Sequence, residues 1–189
     1  MLKLRTKYLF MTILFLAAFL ERTMFDFGSN VELVTMALVL SSFYLGRRES
    51  FWLILVIMVF TDLIIGNTNI FIFTWTGFLI PALFVRSFYS KSNQVSKIVR
   101  GSLAGIASIG FFFIWTNFGV WLLSGMYPKN GLGLSMSYIN ALPFLRYQAI
   151  STLTFVPLGL TLVEILIILR RKFKFEKSLR SKYDLKLDI

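Results

Sequence analysis

Six apolar stretches, separated by polar or charged breaks, organise the chain. Their uncharged cores run from Tyr8 to Leu20, Leu33 to Leu45, Phe51 to Val59 (continuing past Asp62 to Ile65), Ile70 to Val85, Gly101 to Tyr127 and Tyr147 to Val163 (continuing past Glu164 to Leu169). A helix needs about 20 residues to cross a bilayer, with a lower limit near 17. Several of the six are shorter, so they must recruit snorkelling polar flanks or thin the bilayer locally. The pattern predicts an all-α integral membrane protein with six transmembrane helices. A cleaved signal peptide is the rival reading of the first stretch. Glu21, Arg22 and Thr23 follow it rather than a small-residue cleavage site, so it is read as a retained span.

The basic residues orient these spans. Short cytoplasmic loops collect Lys and Arg. With six spans and both termini cytoplasmic, only Arg22, Lys129 and Arg146 of the 20 basic residues fall outside. Dropping the first span weakens this asymmetry, and a seventh span over Leu132 to Leu145 sends the basic tail outside. The expected localisation is therefore the cell (plasma) membrane, multi-pass, as one domain over 1–169 with a basic cytoplasmic tail over 170–189. The tail carries eight Lys and Arg between Arg170 and Lys186, suited to anionic lipid headgroups. In the last outer loop, Tyr127-Pro128-Lys129-Asn130-Gly131 signals a turn. Leu134 to Leu142, ended by Pro143, reads as a short interfacial or re-entrant helix.

Composition narrows the function. The chain is 57% hydrophobic and 15% charged, where a soluble domain has about 25% charged residues. With no Cys and no His, disulfides, thiol nucleophiles, Cys/His zinc sites and a His general base are excluded. The scattered glycines form no phosphate-binding loop. No cofactor and no enzymatic activity are expected. The net charge of +11 is accounted for by topology and needs no nucleic-acid partner.

The polar residues inside the spans are the candidate chemistry, because each intramembrane charge costs about 2.5–3.5 kcal/mol on insertion scales. Asp62 ends the third span, where a carboxylate opposes the helix dipole and needs a cation or donors. Arg146 is the first choice of partner and Arg22 the second; a structural bridge and a ligand contact are equally open. Glu164, towards the cytoplasmic end of the sixth span, reads as an interfacial pair with Arg171, Arg47, Arg48 or Arg100. Asn117 and Trp121 share a face of the fifth span, and Trp75 and Asn69 lie near the outer end of the fourth. An aromatic belt explains some of the Trp, and Asn69 can serve as a helix cap. Their concentration in the outer half nonetheless fits an outward-open pocket. The candidate substrate-binding residues are thus Asp62, Asn69, Trp75, Asn117, Trp121 and Arg146. Gly101, Ala104, Gly105 and Ser108 form a small-residue face on the fifth span, suited to close packing within the bundle or to a docking partner.

The stretches from Asn30 to Arg48 (NVELVTMALVLSSFYLGRR), Phe60 to Asn69 (FTDLIIGNTN), Trp115 to Lys129 (WTNFGVWLLSGMYPK) and Ala141 to Arg146 (ALPFLR) resemble a family of uncharacterised prokaryotic membrane proteins. That family looks like the substrate-binding S components of energy-coupling factor (ECF) transporters. The resemblance implies six helices, an outward pocket for a small-molecule substrate, and docking on an energy-coupling transmembrane subunit that carries two ATPases. The Ala-x-x-x-Ala face often found on the first helix of S components is absent, since Ala17 and Ala18 are adjacent. Substrate identity does not carry over. The leading expectation is an S-component-like subunit for uptake of a small nutrient, such as a vitamin. The alternative is a non-transporting membrane scaffold of the cell-shape protein type, which should fill the outer pocket with side chains.

Overall fold

The computed structural model describes residues 4–25, 31–66, 69–89, 91 and 93–187, with side chains as far as Glu176. Among these the chain is wholly helical, with six α-helices and no strand. Helix α1 (Leu4–Leu20) ends in a π-helical turn (Glu21–Phe25), and α2 is Val34–Tyr44. Next come α3 (Arg47–Ile65), α4 (Phe71–Phe84) with a 3-10 turn (Val85–Phe88), α5 (Gln94–Leu123) and α6 (Gly131–Leu187). Among the described residues four segments are long and apolar enough to cross a membrane: Leu4–Phe25, Phe71–Phe88, Gln94–Leu123 and Gly131–Glu176. Large apolar side chains such as Ile13, Phe60, Leu103, Ile114 and Leu162 cover the outside of the bundle. Such a surface is compatible with lipid and unusual for a water-soluble monomer.

Helix α2 is the axis. Its 11 residues cover only about 16 Å, and nine of them are buried. It touches each of the other five helices. The reversal from α2 into α3 is short because Gly46 takes a φ of 132°, which L side chains rarely adopt. Asn93 caps α5 by accepting the Ser96 N–H at 2.9 Å. Asn130 does the same for the Gly133 N–H at 2.9 Å where α6 begins. The small-residue face of α5 packs inside the bundle, with Gly101, Ala104, Gly105 and Ser108 all buried. A methyl group on Gly105 would lie 2.8 Å from Thr152 Cγ2 of α6, so only hydrogen fits there.

One expected element is absorbed into another. Leu134 to Leu142 is not a separate interfacial helix; it forms the first turns of α6, which runs unbroken through Pro143 and Pro157. Proline removes one intrahelical hydrogen bond, but a helix held against neighbours tolerates the loss. The same helix continues across the boundary placed at residue 169, so no break separates the bundle from its basic tail.

The ends of the bundle are distinct. One gathers the basic residues. There Lys7 pairs with Glu49 at 2.6 Å, Arg47 bonds Ser87 at 3.1 Å, and Lys97 holds both oxygens of Glu164 at 3.0 and 3.2 Å. Tyr44 adds a third bond to Glu164, at 2.8 Å. The partner expected from Arg171, Arg47, Arg48 or Arg100 is thus Lys97, which α5 carries across to α6. Glu164 is buried rather than snorkelling. Arg86 caps α2 by donating to the carbonyls of Ser42 and Phe43, with the Tyr89 ring 4.1 Å from its guanidinium. Beside them Ser41 and Ser42 each donate to Ser50 at 2.9 Å.

Candidate functional site

At the opposite end, the π-helical turn that follows α1 carries Arg22 over the end of α3. Turns of this kind widen a helix and recur at functional positions. Arg22 Nη2 lies 3.2 Å from Asp62 Oδ1, and Arg22 Nε lies 3.2 Å from Thr61 Oγ1. Trp75 Nε1 donates to the other Asp62 oxygen at 2.6 Å. The Asp62 side chain is 8% exposed and both its oxygens are occupied, which answers the helix-dipole problem. Arg22, and not Arg146, is therefore the partner. The cause is helical phase: Arg146 stands two residues before the inward-pointing Gln148, nearly opposite on α6, and it is exposed.

A second carboxylate sits deeper. Glu32, just ahead of α2, is 8% exposed. Its Oε1 accepts from Thr35 at 2.9 Å and from Gln148 at 3.0 Å. Its backbone is locked to α6, since Ser151 both accepts from the Glu32 N–H at 3.1 Å and donates to the Glu32 carbonyl at 3.0 Å. Nothing in the sequence reading singled out Glu32 or Gln148. A usable signal exists in α6, where Gln148, Ser151 and Thr152 repeat at the three- and four-residue spacing of one helix face.

Arg22, Glu32 and Gln148 border a cavity of about 480 Å³ among α4, α5 and α6. The size suits a small-molecule ligand. Its walls are aromatic, from Phe78, Phe112, Phe113 and Phe144, and its polar atoms come from Asn117, Asn140, Gln148 and Tyr127. Asn117 Nδ2 donates back to the Phe113 carbonyl at 2.8 Å.

The six expected site residues divide accordingly. Asn117 lines the cavity. Asp62 and Trp75 do not line it; Asp62 holds Arg22, and Trp75 holds Asp62. Trp121 points to the α5–α6 turn, where it donates to the Pro128 carbonyl at 3.0 Å. Lys129 lies 5.5 Å above the Trp121 ring and donates to the carbonyls of Trp121 and Leu122, a cation where α5 ends. Asn69 is exposed in the turn before α4, and neither it nor Arg146 lines the cavity.

Fold and site together define an all-helical, apolar bundle with an aromatic-walled cavity at one end. The chain belongs to a family of unknown function, DUF6580, whose family model matches residues 2–177. No curated protein and no solved structure matches it.

Proposed function

We propose that the chain is the substrate-binding membrane subunit of an uptake system for a small nutrient, built in the manner of an ECF S component. In this reading it is a plasma-membrane protein with six crossings and both ends cytoplasmic, and the cavity opens outward. The observation that carries the reading is the cavity of about 480 Å³, with aromatic walls and a few converging polar groups. A scaffold has no use for that space. Orientation is supported by Lys7, Arg47, Arg86 and Lys97 meeting at the end away from the cavity, as the positive-inside rule asks. Helix α2 then crosses as a short element wrapped in protein rather than in lipid. An energy-coupling partner with ATPases would dock on the basic end, and the tail beyond Arg170 would lie on anionic lipid.

The test is small molecules retained by the full-length protein through purification in mild detergent, identified by mass spectrometry. The expected result is one enriched compound, lost when Ala141→Trp fills the cavity. If nothing is retained and Ala141→Trp leaves the protein's cellular role intact, the scaffold reading takes over. Sidedness is checked independently in the natural Cys-free background. A cysteine at exposed Asn130 should label from outside intact cells, and one at exposed Lys91 should not.

A further inference from the structure

The polar lining of the cavity is lopsided in its hydrogen-bonding character. Its side-chain amides spend N–H groups on the protein: Asn117 on the Phe113 carbonyl, Gln148 on the Glu32 carboxylate, and Asn140 on the Tyr127 hydroxyl at 3.2 Å. The Asn117 orientation follows from its acceptor, since a backbone carbonyl cannot donate. The lining hydroxyls behave alike. Thr74, Thr116 and Ser137 donate to the carbonyls of Ile70, Phe112 and Leu134 in their own helices. Each amide keeps a second N–H and the Tyr127 hydroxyl its O–H, while the oxygen lone pairs of all three amides stay open to a ligand. Among the described residues, no hydrogen bond reaches the amide oxygens of Asn117, Asn140 or Gln148, or the second oxygen of Glu32.

The charges lean the same way. Arg22 borders the cavity, but Asp62 lies against its guanidinium at 3.2 Å. Glu32 accepts only from neutral groups, and no cation of the described residues lies within ion-pair distance of it. Arg22, shared with Asp62, acts on Glu32 only from beyond that distance, so the buried carboxylate has no close cation of its own. Aromatic walls carry a negative face and add an attraction for cations.

We infer that the cavity selects a small organic cation rich in N–H donors, a protonated amine or amino-heterocycle, with Glu32 as its counter-charge. This rests on the cavity being a ligand site, as proposed above. The cation gives Glu32 a close ion partner, the amide oxygens take its N–H groups, and its flat body lies among the phenylalanines. An anionic ligand would meet repulsion from Glu32.

The experiment uses three probes that share an indole body: tryptamine (cation), tryptophol (neutral) and indole-3-acetate (anion). Each is titrated calorimetrically into the full-length protein in detergent. Tryptamine should bind at least about tenfold more tightly than tryptophol, equivalent to about 1.4 kcal/mol, with indole-3-acetate weakest. Glu32→Gln keeps an acceptor oxygen for Thr35 and Gln148, and should reduce the cation preference to about twofold or less. Should that variant fail to fold, Asn117→Asp adds a carboxylate to the same cavity and should widen the preference. Equal binding, a preference for the neutral or anionic probe, or an undiminished preference in folded Glu32→Gln overturns the inference. A retained natural ligand that proves anionic overturns it while leaving the uptake reading standing. Failure of all three probes together with no retained compound defeats both.

Discussion

At the basic end of the bundle Glu164 has every oxygen taken, by Lys97 and Tyr44; at the far end Glu32 has one oxygen taken and the other free. Both carboxylates are almost fully buried and both tie α6 to other parts of the fold. At the basic end the polar groups are paired among themselves: its serines bond each other and its arginine caps a helix. The far end is built with the same care around a gap. Gln148 and Thr35 hold Glu32 in one orientation without neutralising it, while Arg22 is held by Asp62. Burial alone therefore does not separate a fastener from a receptor. The separating quantity is how much of the group's bonding capacity the protein itself consumes.

Three substitutions bear on that contrast. The largest effect should come from the basic end. Lys97→Met leaves Glu164 buried without a cation, a change that costs about 3–5 kcal/mol in comparable pairs, read as a lower melting temperature in detergent. A loss below about 1 kcal/mol would show that the pair fastens nothing and would erase the difference between the ends. Next comes Arg22 with Asp62. In a double-mutant cycle, Arg22→Gln and Asp62→Asn should be coupled by about 1–2 kcal/mol, whereas Arg146→Gln and Asp62→Asn should add within about 0.5 kcal/mol. Additivity in the first cycle would detach Asp62 from the cavity edge.

The smallest effect belongs to Lys7 and Glu49, half-exposed at the basic rim. The Lys7 ammonium hydrogen-bonded to Glu49 holds that carboxyl below its ordinary value. A depressed carboxylate stabilises the fold above its unfolded pKa, and the contribution is lost as pH falls through the folded one. Lys7→Met should therefore cost under about 1 kcal/mol at neutral pH. It should also flatten the acid limb of the melting profile, and an unchanged limb would count against the bridge.

The helical bundle was legible in the apolar stretches, because period and length are local properties of the chain. Each of the six helices overlaps one of them, and Gly46 and Asn93 mark breaks that a sequence announces. Partner choice was less legible. Asp62 was identified as a carboxylate in need of donors, but Arg146 and Arg22 are equally good cations on paper, and only the phase of α6 turns one away. Pro143 reads as a terminator because its missing N–H is a local fact, while the support of neighbouring helices is not. Glu32 escaped notice for a related reason. It stands at the edge of an apolar stretch, where a glutamate usually faces water, and only the packing of α6 across it encloses the carboxylate. Trp121 was placed in the pocket on a shared helix face with Asn117, but the turn that follows α5 folds back and takes its N–H.

The shortness of α2 bears on how the molecule comes apart. A helix with nine of its 11 residues buried, in touch with all five others, has no stable half-assembled environment. Remove it and each neighbour loses part of its own inner surface, so no smaller sub-bundle retains a sealed interior. Opening should then be one cooperative event rather than a sequence of peeling helices, with amide exchange across α2 governed by the global unfolding free energy. Amide protons near the cavity mouth are the ones free to exchange by smaller, local fluctuations.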